Sequence, residues 1–467
     1  MFLVPLSNNI ASPLRCCIDH LIGKEVEYLK RSIAARIQYI YMDATYHKPK
    51  LRWPLDIRMH DVPAASGAAS VGAKPERVLV LQCPLGVTPK PLVLISAVAP
   101  VLELFQGELT LQEILARCAP YGLQEQTLKD LIALLDDNLF IANSRFFAAE
   151  RAMRESFLNL SVRPAALAGL SYPESKEALR KLVDGFLVDL ETTSEKIELC
   201  CLVAPHIDYQ RGGACYGGIY PHLAASNADL YVLMGTSHQY SERLFHLSAK
   251  DFESPLGVLP CQTEFVSRVA SRFGTTRAFA DEFLHKKEHS LELQLPFMSR
   301  VKPKASIAPV LVGSFHRAIA SGRYPHEWEE YEAFVASLVE AIRTEIQHGK
   351  RVCFIAGVDM AHIGPFFGDD WALSAEKMLL IAERDREYLA AIESRDLRKL
   401  FAHVAQDGDA RRICGFPTMY TILDVLERLG VSYSCQSSSY QQAVDYQSGC
   451  AVTFAGMALY ANSDSSL

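Results

Sequence analysis

Three runs of the chain, at 197–203, 230–234 and 352–358, are short, strongly apolar and carry one charged residue between them, Glu198. Runs of this kind read as strands buried on both faces, the pattern of a parallel sheet covered by helices. Each opens onto reactive side chains: Ala204-Pro205-His206-Ile207-Asp208-Tyr209, then Gly235-Thr236-Ser237-His238, then Asp359-Met360-Ala361-His362-Ile363-Gly364. In an open α/β sheet the carboxyl ends of the strands form one edge, and ligands bind in the crevice there. The pattern therefore predicts that His206, His238, Asp359 and His362 converge on a single crevice.

At 467 residues the chain is long enough for two or more domains. A net charge of −7 gives no basic footprint, which argues against nucleic acid or anionic membrane as a partner. Twelve cysteines include no C-x-x-C pair, and Cys200, Cys201 and Cys353 fall inside predicted strands. They read as reduced, buried thiols, so the cytoplasm is the expected location. No apolar run approaches the ~20 residues that span a bilayer.

Residues 1–50 read as a leader, with a helical stretch at Glu25–Tyr41 and Met42 as a candidate true start. A small module is expected over 51–150. Val78–Leu81 and Leu92–Leu94 form its strands around the Pro84-Leu85-Gly86 turn signal. A helix at Leu111–Cys118 with Thr110 as its cap follows, then one over Glu125–Leu135 with Leu128, Leu131, Ile132 and Leu135 at helical period. Leu139-Phe140-Ile141 reads as a wing strand, so the module resembles a winged helix or peptide clamp. Its second helix carries Glu125, Asp130, Asp136 and Asp137 against Lys129, the wrong sign for phosphate. A protein-interaction or structural role is expected instead. A charged helix over Ala148–Leu158 leads to an α/β domain at 163–461, with amphipathic helices at Ser175–Leu190, 332–347 and 375–391.

Imidazole suits transition metals, and thiolate favours iron, copper or zinc over magnesium or calcium. His206, His238 and a cysteine from elsewhere would make three ligands with open positions, as catalytic metal sites have. Cys414 precedes Gly415 and a helix expected over Tyr420–Leu429, whose dipole favours a thiolate suited either to ligation or to nucleophilic attack. In Glu288-His289-Ser290-Leu291-Glu292, His289 projects into the site while the carboxylates orient neighbours. Asp359 is an acceptor fixing a histidine tautomer or a general base, and His362 a proton shuttle or ligand. Asp208 does similar work or forms a turn.

These motifs, together with Arg163-Pro164, Ser171-Tyr172-Pro173, Ser254-Pro255-Leu256, the run Glu288 to Phe297, and Pro309-Val310-Leu311-Val312-Gly313, fall in the order of the Memo family. That family includes protein B of the AmmeMemoRadiSam system, and the resemblance spans 163–461. It implies the fold of class III extradiol dioxygenases, a mostly parallel sheet flanked by helices. It also implies metal ligation by His206, His238 and Cys414, with Asp359 and His362 lining the site. Fe(II) is the implied metal, with copper or zinc as alternatives. The implied partners are a radical-SAM protein and an AMMECR1-domain protein. A cysteine stands where the dioxygenases use a carboxylate, while Ala361 and Asp208 match the bacterial branch. The expected function is an iron-dependent redox enzyme of dioxygenase or oxidoreductase type. The alternatives are a Cys-His hydrolase or transferase, with Cys414 as nucleophile and His206 or His362 as base, and a metal-carrying scaffold without chemistry.

Overall fold

The computed structural model describes residues 47–62, 76–88, 90–188, 198–462 and 467. The expected helix at Glu25–Tyr41 and the candidate start at Met42 lie outside them. Contacts divide the chain into two units between Arg154 and Glu155.

In the first unit β1 (Asp56–Val62), β2 (Glu76–Gln82) and β3 (Leu92–Ile95) form an antiparallel sheet in that order. Helix α1 (Leu111–Cys118) begins on a capping box: Thr110 Oγ1 accepts the Glu113 N–H (3.3 Å) and Glu113 accepts the Thr110 N–H (2.7 Å). Helix α2 (Glu125–Asp137) buries Leu128, Leu131, Ile132 and Leu135, the helical stripe visible in the sequence. The expected wing strand is absent. Leu139 takes φ 59°, Phe140 N–H reaches Leu135 O at 2.8 Å, and Leu139 N–H reaches Asp136 O at 2.9 Å. These bonds close α2 as a Schellman motif with a leucine in the left-handed position, and Ile141 makes only an isolated bridge to Leu51. Helix α3 covers Ser144–Leu158.

The second unit is built on an eight-stranded mixed sheet. A two-residue strand β4 (Val162–Arg163) and helix α4 (Lys176–Phe186) precede β5 (Leu199–Ala204), α5 (Tyr209–Ala225) and β6 (Leu230–Thr236). Short strands β7 (Phe245–Leu247), β8 (Asp251–Ser254) and β9 (Gly257–Leu259) follow, then α6 (Thr263–Phe273). Two short helices, α7 (His289–Glu292) and α8 (Leu295–Val301), lead to β10 (Ile307–Val312), α9 (His316–Ser321) and α10 (Glu329–Gln347). The chain continues through β11 (Val352–Gly357), β12 (His362–Ile363), α11 (Ala375–Glu393), α12 (Leu397–Ala405) and α13 (Phe416–Arg428). It closes with the long hairpin β13 (Tyr433–Asp445) and β14 (Cys450–Ala461).

Strand order is β12-β14-β5-β11-β6-β10-β7, with β13 paired to β14. The four central strands β5, β11, β6 and β10 are parallel and buried along their whole lengths. The outer pairings are antiparallel, so the sheet is parallel only at its centre. A hairpin needs only a tight turn, whereas a parallel pair needs a crossover. Here Asp445 Oδ1 accepts the N–H groups of Gln447 (2.9 Å) and Ser448 (3.2 Å) to make that turn. The ten described cysteines are all free thiols. Among the described residues, no helix is long and apolar enough to cross a membrane.

Candidate metal centre

His206 lies two residues past β5 with its side chain 1% exposed. Its Nδ1 stands 2.9 Å from Gly357 O at the end of β11. A carbonyl can only accept, so Nδ1 carries the proton and the Nε2 lone pair is free; it faces Cys414 Sγ at 3.2 Å. His238, two residues past β6, gives both its backbone N–H and its Nδ1 to the Glu288 carboxylate, each at 2.9 Å. That arrangement leaves Nε2 unengaged by the carboxylate, and a ring nitrogen of His238 lies within 4.8 Å of the same thiol. Cys414 precedes Gly415, the N-cap of α13, and its carbonyl accepts Thr236 Oγ1 at 2.9 Å. One donor atom from each of His206, His238 and Cys414 lies within 4.8 Å of the others. Metal–ligand bonds of about 2.0–2.3 Å hold neighbouring donors about 3–4 Å apart, so a single ion fits this set. A backbone carbonyl and a carboxylate behind the two imidazoles are the usual supports of metal-ligating histidines.

Asp359 ties these elements together. Its Oδ1 accepts the His206 N–H (2.8 Å) and its carbonyl accepts the Gly415 N–H (3.1 Å), binding the ends of β5 and β11 to the start of α13. A cleft of about 530 Å³ opens beside it, lined by His206, His238, His289, Asp359 and His362, with Phe366 and Phe367 among its apolar walls. The His289 ring stacks on His238 with centroids 4.3 Å apart. All the histidines and both aspartates singled out in the sequence thus line one cleft, with Cys414 bonded to His206 beside it. Asp208 takes the turn role, capping α5 through the Arg211 N–H at 3.1 Å. Arg211 and Lys287 also line the cleft and carried no signal in the sequence.

Burial pushes Asp359 up to about 7, against the pull of the His206 and Ile207 N–H groups. Burial also disfavours charge on His238, but the Glu288 carboxylate outweighs it and holds this imidazole well above the ordinary histidine range. Glu288, though buried, is kept well below the carboxylate range chiefly by His238. Burial lowers His289 and His362 to about 4 each, leaving both neutral near pH 7. The dipole of α13 does not yield a ready thiolate at Cys414. Desolvation by the surrounding protein raises the thiol above its usual value, outweighing the lowering by His238.

The segment carrying Glu288 and His289 is fixed by a buried ion pair. Arg163 and Glu292 are both fully buried and joined through Arg163 Nη1. Arg163 also donates to His285 O (2.8 Å) and Glu288 O (3.1 Å), while Glu292 accepts from Leu167 N–H (2.6 Å) and Tyr172 Oη (2.5 Å). Glu288 and Glu292 therefore face opposite ways, one toward His238 and His289 and one into their foundation. Glycines let the parts approach: a Cβ on Gly357 would lie 2.2 Å from Ser290 O, and one on Gly415 2.5 Å from Asp359 O.

Glu288→Gln keeps the shape but loses the charge on His238 and His289. The expected result is a metal affinity lowered about 10–100-fold in a chain that still folds, measured by competition against a chelator. Unchanged affinity would separate Glu288 from the metal. His285 and His246 lie in the same foundation, with His285 Nε2 donating to His246 O at 3.0 Å. Burial lowers His246 to about 4 and His285 to about 3. An unfolded histidine titrates near 6.5, so below that pH the unfolded chain takes up protons that the folded chain refuses. The stability these residues contribute is complete above about pH 6.5 and is lost as pH falls toward 4. Urea unfolding at pH 7 and pH 5 reads this loss, which is smaller in His246→Phe.

Residues 163–458 match the profile of the family described as Memo-like protein. The chain belongs to the Memo family. A MEMO1 family protein of Aquifex aeolicus is 24% identical over 384 residues, covering 82% of this chain and 96% of its own. A MEMO1 family protein of Methanosarcina barkeri is 26% identical over 272 residues, covering 58% of this chain and 89% of its own. One from Methanosarcina mazei is 27% identical over 274 residues, with the same coverage. Coverage of 82% requires the bacterial alignment to reach upstream of residue 163, so this Memo relative shares part of the first unit.

Proposed function

We propose that this Memo-family protein binds one transition-metal ion, Fe(II) ahead of copper or zinc, through His206, His238 and Cys414, and with iron acts as a redox enzyme. The reading rests on one observation. Three soft or borderline donors meet at the sheet edge with the far nitrogen of each histidine already engaged, by Gly357 O and by Glu288. When bound, the metal would supply a Lewis-acidic, redox-active centre beside the cleft. The chain's own residues do the rest. Neutral His289 and His362 accept or relay protons from a molecule in the cleft, Asp359 holds the His206 backbone, and Phe366 and Phe367 limit water.

The fold class we assign is that of the class III extradiol dioxygenases. The cysteine in place of a carboxylate points to oxidoreductase chemistry other than ring cleavage. The first unit, without the wing strand expected at Leu139–Ile141, is read as a small protein-binding module. Its proposed partners are a radical-SAM protein and an AMMECR1-domain protein.

Anaerobic purification followed by elemental analysis tests the reading. One iron per chain is expected, both in the full chain and in a form lacking residues upstream of Glu155, with only the full chain retaining a radical-SAM partner. Absence of any bound metal would overturn it. Iodoacetamide distinguishes the hydrolase alternative: a ligating Cys414 is protected by loaded metal, whereas a nucleophile reacts in both states.

A further inference from the structure

A second cavity of about 380 Å³ lies at the same edge of the sheet, beyond the ends of β10 and at the start of β7. Its lining includes Arg243, Arg277, Arg317 and Trp328. Arg243 and Arg277 are half-buried and Arg317 is exposed. None of the three guanidinium groups has a carboxylate within ion-pair distance among the described residues; Arg277 only lies over the Phe273 ring, 5.1 Å from its centroid. Of the carboxylates on the rim, Glu330 is engaged by the Leu244 N–H at 3.0 Å, and Glu242 and Glu329 stand exposed, free to turn into water. Trp328 adds a buried indole N–H with no hydrogen-bond partner.

Half-buried guanidinium groups without a counter-charge are costly, and their planar forks match the oxygens of a phosphoryl group. Two such groups with the exposed Arg317 beside them suit a doubly charged anion better than a carboxylate, and Trp328, whose ring carries the Arg323 guanidinium 5.2 Å from its centroid, adds an apolar edge to the lining. The volume falls in the range of small-molecule sites. We infer that this cavity binds a small phosphate monoester, with the phosphoryl group on Arg243, Arg277 and Arg317 and its apolar part beside Trp328. The site is separate from the metal donors, although Arg243 and His238 share the connection between β6 and β7.

Isothermal titration of the full chain with phenyl phosphate in phosphate-free buffer tests this. Saturable one-to-one binding is expected, weakened about tenfold or more in R243A/R277A. R317A, at an exposed position where misfolding is not an issue, should also weaken it, and Arg300→Ala, far from the cavity, should not. Metal content should be the same in all four proteins. No saturable binding by the wild type up to about 1 mM, unchanged affinity in R317A, or benzoate binding as tightly as phenyl phosphate would each overturn the assignment.

Discussion

His206→Ala, His238→Ala and Cys414→Ala each lose stoichiometric metal while remaining folded. Losing an outer support typically costs about 10–100-fold in affinity, and losing one of three ligands costs more than that. The fold survives because each donor stands beyond the end of its strand or before the start of its helix, outside the hydrophobic clusters that hold the sheet. Cys414→Asp separates ligand from nucleophile. A carboxylate beside two histidines is the facial set that holds Fe(II), so this variant should regain metal, whereas a nucleophilic thiol has no substitute in aspartate. Elemental analysis and circular dichroism on the same samples are the measurement. Wild-type metal content in all three alanine variants would remove the site.

Arg163→Met destabilises the second unit by about 3–5 kcal/mol, because removing one partner of a buried pair strands the other charge. Glu292 would keep its bonds from Leu167 N–H and Tyr172 Oη but lose the guanidinium, and His285 O and Glu288 O would lose a donor. The double variant Arg163→Met/Glu292→Leu should recover much of the loss, since an apolar pair of similar volume carries no stranded charge. Urea midpoints of the three proteins decide the point. A single variant as stable as the wild type would mean that water reaches the pair.

The central strands were readable because burial on both faces leaves uninterrupted apolar sequence, and the chemistry sat where such strands end. His206, His238, Asp359 and His362 could be grouped for that reason. The hairpin β13–β14 escaped notice: Ser434-Cys435-Gln436-Ser437-Ser438-Ser439 carries little apolar pattern, and its strand character comes from pairing with β14. Leu139–Ile141 has the composition of a strand, but a helix-closing turn claims its backbone bonds. Cys414 sits even nearer its helix than the sequence indicated, yet desolvation, which no local pattern reports, decides its proton. Arg163 offered no sign of its partner 129 positions away.

The donors come from three separate crossovers, and Cys414 meets His206 across 208 positions of chain. No local stretch of the polypeptide can hold the ion, so it cannot nucleate folding as it does in a zinc finger. The long loops must close first, at the entropic cost of ordering everything between them. An ion held there would therefore be a late arrival in a finished receptacle. On the proposed function, occupancy would then follow the surrounding supply of metal instead of the act of folding.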